Sequence, residues 1–294
     1  MVPDAIRTPD ELLERLPDFP FEPHWREFEG IRLCHLDEGE GPPVIFFHGE
    51  PTWSFLWRKV LPPVLDAGFR CIAPDLPGFG RSDKPSDLDW YTYDRHAQAA
   101  CELLDTLDVR DATVVVHDWG GPIGLRAAVE RSERVSKIVV LDSGLFTGHQ
   151  RMNDAWLAFQ DFVRRTEDVP IGMLVQRACK HDPGEEVVAA YDAPFPNPQA
   201  KAGARAFPLI LPTSPEMPGA QAGQRVLDAM RGDERPKLVL WADSDPVLPL
   251  ETGRRFAQAL GTEVHHVIED ASHFLQEDAG PRIGELIAGW LGSQ

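Results

Sequence analysis

Asp118 has the clearest chemical context of any residue in this 294-residue chain. It ends the run Val114-Val115-Val116-His117-Asp118-Trp119-Gly120-Gly121, where an apolar strand meets a turn of small residues and a helix starts at 120–122. Such a strained strand-to-helix bend lifts one side chain above a sheet, and its usual occupant is a serine nucleophile. An aspartate there changes the reaction. A serine hydroxyl needs a base before it attacks a carbonyl. A carboxylate is already ionised at neutral pH and can displace a leaving group from saturated carbon in line. The product is an alkyl ester of Asp118, which water must then cleave. Aspartate is also a favoured helix N-cap, so residue type alone leaves that second role open.

Ester cleavage calls for a general base and for donors to the oxyanion. His273, in Glu269-Asp270-Ala271-Ser272-His273-Phe274 just past the last expected strand, is the candidate base among ten histidines. His24, His35, His96, His149 and His181 sit in no motif, and His265 and His266 fall inside an expected strand. His48 and His117 flank motifs and suit the bracing of loops. Asp245, in Trp241-Ala242-Asp243-Ser244-Asp245-Pro246, is the candidate acid that orients the imidazole. Asp142, after the strand 137–141, is its rival. The Asp243-Ser244-Asp245 pair has the look of a cation site, but no further ligand spacing accompanies it. The oxyanion donors are expected to be the backbone N–H groups of Trp119 and of Glu50, in His48-Gly49-Glu50-Pro51.

Residues so far apart in sequence must be gathered by a sheet. Short β-branched runs at 44–47, 70–73, 113–116, 137–141, 237–241 and 263–268 alternate with helical patterns at 53–67, 94–107, 121–131, 251–260 and 282–291. That rhythm is the signature of a parallel sheet with crossover helices. Continuous apolar runs such as Val44-Ile45-Phe46-Phe47 fit strands buried on both faces. The stretch 26–36 reads as a leading antiparallel strand or hairpin. Between residues 144 and 213 the rhythm breaks: helical segments at 154–165, 170–178, 184–190 and 198–207 follow one another without a strand. A helical insertion there predicts a lid over the carboxyl ends of the strands, the edge where open parallel sheets bind ligands. The expected division is a main domain of 1–143 and 214–294 and a cap of 144–213.

Composition narrows the function further. A 43% hydrophobic and 26% charged chain is an ordinary globular protein. A formal charge of −18, from 47 acidic and 29 basic residues, argues against nucleic acid and anionic membrane partners, which need basic clusters. No apolar run reaches the length of a bilayer-spanning helix, and the acidic N-terminus lacks a signal-peptide core. Cys34, Cys71, Cys101 and Cys179 are scattered without metal-site spacing and read as reduced thiols. A cytoplasmic, monomeric protein without metal or organic cofactor is the expectation.

These residues resemble the haloalkane dehalogenases of the α/β-hydrolase fold, in particular the subfamily with two tryptophan halide ligands. The resemblance runs over nearly the whole chain. It includes Arg7-Thr8-Pro9-Asp10, Phe19-Pro20-Phe21, the segment 48–58 and Pro74-Asp75-Leu76-Pro77-Gly78-Phe79-Gly80 with its continuation to Pro85. It also includes Tyr191-Asp192-Ala193-Pro194-Phe195-Pro196, the segment 202–208 and Ser272-His273-Phe274-Leu275-Gln276-Glu277-Asp278. The lid segments are its most specific part. The resemblance implies a mostly parallel, doubly wound sheet with a helical cap inserted between strands. It implies Asp118 as nucleophile, Asp245 as acid and His273 as base. It further implies that Trp119 and Trp156 hold the halide and that the Glu50 side chain supports the hydrolytic water. The substrate would be a small halogenated alkane, and the products alcohol, halide and a proton. The chain departs from the subfamily at Asp142, where close relatives carry an amide, so the choice between Asp245 and Asp142 as acid stays open.

Two other readings share part of this pattern. An epoxide hydrolase has the same fold, an Asp nucleophile and a His-Gly-x-Pro loop. It conventionally uses two lid tyrosines to protonate the leaving alkoxide, whereas Tyr191 is the one tyrosine in the expected lid; Tyr91 and Tyr93 precede the nucleophile. A non-catalytic ligand-binding relative usually loses part of the triad, and every member has a candidate here.

Overall fold

In the computed structural model, which describes residues 4–294, the expected apolar runs form the middle of an eight-stranded sheet. Its strands are β1 (His24–Phe28), β2 (Ile31–Glu38), β3 (Pro43–Phe47), β4 (Arg70–Pro74), β5 (Ala112–Asp118), β6 (Val135–Ser143), β7 (Lys237–Ala242) and β8 (His266–Ile268). The spatial order is β8-β7-β6-β5-β3-β4-β2-β1. All pairs are parallel except β2 with β4 and β1 with β2. Val44 to Phe47 and Val114 to Val116 are wholly buried, as strands covered on both faces must be. The leading stretch is the anticipated hairpin: Phe28 faces Ile31, and Glu29 and Gly30 both take positive φ, the geometry of a tight two-residue turn.

The helices are α1 (Leu61–Asp66), α2 (Tyr93–Thr106), α3 (Gly120–Glu130), α4 (Asp154–Arg165), α5 (Ile171–Ala178), α6 (Glu185–Asp192), α7 (Ala202–Ile210), α8 (Ala220–Arg231), α9 (Leu250–Ala259) and α10 (Leu275–Gly292). The chain leaves β3 for β4 on one side and then returns to place β5 on the other side of β3. This reversal opens a crevice at the carboxyl ends of β3 and β5, where open α/β sheets bind ligands. Helices α4 to α7 enter the chain between β6 and β7.

Several boundaries differ from the sequence expectation for local physical reasons. The helix expected at 53–67 splits into a 3-10 turn (Ser54–Trp57) and α1, because Pro62 and Pro63 lack donors and fit only a first turn. The one expected at 198–207 likewise splits into the 3-10 turn Pro198–Lys201, capped by Asn197, and α7. The last strand shrinks to His266–Ile268, and His265 lies outside it. There the His265 ring takes over a ladder bond: its Nδ1 accepts from the Val239 N–H at 3.1 Å. The final helix begins earlier than expected, at Leu275, and kinks at Ala279 just before Pro281. Helix α8, not anticipated, packs on α3.

A buried polar knot ties α6 to the sheet-bearing part of the chain. The Arg58 guanidinium meets both Glu277 oxygens, at 2.5 and 2.8 Å. Lys59 Nζ lies 3.0 Å from the same carboxylate, and the Tyr191 hydroxyl donates to Glu277 Oε1 at 2.5 Å. Near the N-terminus, Lys84 Nζ donates to Thr8 Oγ1 at 2.8 Å, and the Thr8 hydroxyl donates to the Pro194 carbonyl at 2.6 Å. Among the described residues no helix is long and apolar enough to cross a membrane, and the four cysteines are unpaired.

Burial works against the charge of Glu277, but Arg58, Lys59 and Tyr191 outweigh it and hold its carboxyl below the ordinary range. Glu277→Gln should therefore cost about 3–5 kcal/mol at neutral pH, because it strands the buried Arg58 charge. The wild-type advantage is present above the ordinary glutamate pKa and is lost as pH falls through the depressed one. Urea unfolding of both chains from pH 7 downward should show the two stabilities converging in acid.

Candidate active site

Asp118 terminates β5 with φ +49, a left-handed conformation that a non-glycine residue adopts only under local constraint. The constraint is visible around it. The Ser143 hydroxyl, from the end of β6, donates to the Asp118 carbonyl at 2.6 Å. Gly49 packs so closely that an added Cβ would overlap the Asp118 side chain, and a Cβ on Gly120 would strike the Phe47 carbonyl. The carboxylate does not cap α3, whose N-cap is Trp119. Instead Oδ1 accepts the Glu50 N–H at 2.8 Å, and the Trp119 backbone N–H adds to what holds the carboxyl down.

Asp118 Oδ2 lies 3.6 Å from His273 Nε2. The other ring nitrogen, Nδ1, is 2.8 Å from Asp245 Oδ2, so Nδ1–H is the donor and Nε2 faces Asp118. Asp245 is itself fixed: its Oδ1 accepts the N–H groups of Val247 and Leu248 at 2.7 and 2.9 Å. His117 and His48 act as braces. His117 Nε2 donates to the His273 carbonyl at 2.8 Å. His48 Nε2 accepts from the Leu76 N–H at 2.9 Å, which leaves Nδ1–H to donate to the Gly49 carbonyl at 2.9 Å.

Electrostatics follow from this geometry. Burial opposes the Asp118 charge, but His273 and the Trp119 N–H outweigh it and hold the carboxyl below its ordinary value. Burial also opposes the imidazolium of His273, yet the Asp245 and Asp118 carboxylates push its pKa well up. Asp245 is held down to about 2 against burial, mainly by His273. Glu50 goes the other way: burial and then the Asp118 charge push its carboxyl well up, and its Oε1 has no hydrogen-bond partner. Asp142 is also pushed well up, by burial and then by Asp245.

Ligand atoms of Asp142, Asp245 and His273 lie within 4.8 Å of one another, a spacing that a metal ion could use. The one His273 nitrogen near the acids is already engaged with Asp245, so the cluster is closed by its own hydrogen bond. Asp243 braces the loops, accepting the Asp270 N–H at 3.0 Å and the Ser244 hydroxyl at 2.8 Å.

A cavity of about 200 Å³ opens over these groups. Glu50, Asp118, Trp119 and His273 line its floor, and Phe146, Trp156, Phe159 and Leu211 line its roof. The Trp119 and Trp156 side chains both line this cavity. No tyrosine lines the cavity. The Tyr91 and Tyr93 hydroxyls donate to the carbonyls of Pro85 and Pro122, and that of Tyr191 is held by Glu277. Sequence reasoning missed Ser143 and Arg177. No spacing signal marks Ser143. Arg177 was legible in helical spacing, since Leu174, Arg177 and Ala178 share the face of α5 that lines the cavity.

A family model described as the alpha/beta hydrolase fold matches residues 42–280. A haloalkane dehalogenase of Mycolicibacterium paratuberculosis is 41% identical, over 97% of this chain and 98% of its own. The chain belongs to the haloalkane dehalogenase family. A haloalkane dehalogenase of Psychrobacter cryohalolentis is 37% identical over 97% of each chain. The structure of the tetrameric haloalkane dehalogenase DpaA of Paraglaciecola agarilytica superposes with a TM-score of 0.89. That similarity is at 32% identity and covers 96% of this chain and 97% of the other. Membership of the haloalkane dehalogenases supplies an assay for the close approach at Gly49. Gly49→Ala should lower turnover of a bromoalkane by about a hundredfold, because the added Cβ displaces the Asp118 carboxylate at the floor of the cavity. Bromide release from a variant that unfolds at the wild-type temperature checks this.

Proposed function

We propose that this haloalkane dehalogenase hydrolyses small haloalkanes to alcohol, halide and a proton through an alkyl ester of Asp118. The observation that carries this reading is a carboxylate that accepts the Glu50 N–H at the floor of a largely apolar cavity, 3.6 Å from His273. Asp118 Oδ2 attacks the halogenated carbon, the carbon–halogen bond breaks, and the halide leaves with the bonding electrons. Trp119 and Trp156 are the halide ligands, as in the two-tryptophan subfamily: an indole N–H is a donor only and repels no anion. Residues 144–213 form the cap that closes over the pocket, with the remainder as main domain.

Ester formation changes the state of His273. While Asp118 is charged it helps to hold the imidazole protonated; once alkylated it is neutral and that support vanishes. His273 then releases its Nε2 proton to solvent, becomes a free base oriented by Asp245, and takes a proton from the attacking water. The water attacks Cγ of Asp118, and the developing oxyanion sits where the Glu50 and Trp119 N–H groups point. The intermediate collapses: the alkoxide that carries the original Oδ2 takes the proton from His273 and leaves as alcohol. The new Asp118 carboxyl returns its proton to His273, and solvent oxygen is retained in Asp118. The neutral Glu50 side chain can hold the water without repelling Asp118. The absence of a tyrosine from the cavity wall favours halide over alkoxide as leaving group.

His273→Phe should accumulate the ester, seen as a mass increase equal to the alkyl group after addition of 1,2-dibromoethane. Asp118→Asn should lose about 10⁴-fold or more of turnover. Single turnover in H₂¹⁸O should place the heavy oxygen in Asp118. An unlabelled Asp118, or diol from an epoxide with no bromide released, would sink the reading. The ester-hydrolysis step should slow as acid protonates His273, measured by single-turnover kinetics across pH.

A further inference from the structure

We infer that Asp142 is a neutral carboxylic acid that donates a hydrogen bond to Asp245, a positioning residue that sets the acid–imidazole pair without adding charge to it. The inference rests on the proposed reading of Asp245 and His273. Three independent observations carry it. The first is backbone placement. In the pairing of β5 with β6, His117 faces Leu141 and Asp118 faces Ser143, so Asp142 is the extra residue of a bulge, at φ +28. Bulges re-aim a side chain beside a site. This one puts Asp142, 0% exposed, against β7, where its Oδ1 accepts the Ala242 N–H at 2.9 Å.

The second observation is a shortage of donors. Asp245 takes two backbone N–H groups and the His273 Nδ1–H. Asp142 takes one N–H, and its Oδ2 has no donor. Buried carboxylates stay ionised only when hydrogen bonds or opposite charge replace lost water. The third is proximity. Oxygen atoms of both acids and a nitrogen of His273 fall within 4.8 Å. Two carboxylates thus surround one imidazole whose Nδ1–H is already taken. Such a pair retains a proton, and it resides on the member with fewer donors. The groups that face Asp142 are Asp245 and His273, the same ones that perturb its carboxyl.

The neutral state has a catalytic consequence. A charged Asp142 beside Asp245 would hold His273 protonated even after Asp118 had been alkylated, and no base would form. A protonated Asp142 occupies a lone pair of Asp245 and fixes its rotation, which leaves another for His273 Nδ1–H.

Infrared difference spectra between wild type and Asp142→Asn at neutral pH should contain a protonated-carboxyl C=O band. A Glu50→Gln difference spectrum identifies the separate Glu50 band. In rapid-mixing kinetics with a bromoalkane, Asp142→Leu should slow decay of the alkyl-enzyme about tenfold or more, the size of one lost hydrogen bond to a charged group. Its rate of ester formation should be unchanged, and Asp142→Asn, which keeps a donor, should restore the decay. No carboxyl band assignable to Asp142, or a decay as slow in Asp142→Asn as in Asp142→Leu, overturns the inference. If Asp142→Leu does not fold, the infrared comparison with Asp142→Asn decides alone. Turnover that survives Asp245→Asn but not Asp142→Asn overturns the acid assignment as well. Failure of His273→Phe to trap an ester overturns the Asp118 reading and leaves the infrared result on Asp142 standing.

Discussion

A bare carboxylate can stand above a buried parallel sheet only if its neighbours supply donors and no charge of the same sign. That constraint organises the floor of this cavity. Asp118 meets the Glu50 N–H group and the His273 ring, while Glu50, the acid beside it, is pushed toward neutrality and the charged Asp245 stands on the far side of the imidazole. Burial alone would have neutralised Asp118 too. It stays ionised because the His273 ring faces it and backbone N–H groups point at it at the switch point of the sheet.

The convergence requires unusually short distances between backbone segments. The β3 loop reaches Asp118 only because residue 49 is glycine, and α3 leaves the bend only because Gly120 passes the Phe47 carbonyl. Ser143 then clamps the bend from β6. A strained residue persists where its surroundings over-determine it, and here three strands and a helix do so. The stability of the sheet, drawn from wholly buried runs such as Val114 to Val116, is what allows the strain to be held.

The helices between β6 and β7 complete the site without contributing a titratable group close to Asp118. Their side chains at the cavity are apolar or aromatic, with Arg177 as the charged exception. Excluding water strengthens the electrostatic effect of every donor below. The Arg58–Glu277–Tyr191 knot fixes α6, against which the cavity-lining α5 packs, to the polar interior of the chain.

The sequence by itself determined the sheet strands, the break in rhythm after residue 143 and the bend at Asp118. These are written in local signals: continuous apolar runs, helical periodicity, and an acid between a strand and a glycine pair. It also offered both Asp245 and Asp142 as partners for His273, with Asp245 the candidate and Asp142 its rival. The choice of contact belongs to tertiary structure. The bulge at Asp142 turns that side chain toward Ala242, and the loop after β7 delivers Asp245 to Nδ1 with two backbone donors behind it. Ser143 and the anchoring of Tyr191 were equally out of reach. A bulge, a buried donor count and a crossing of distant loops leave no periodic trace, because they depend on which residues the fold brings within hydrogen-bond distance.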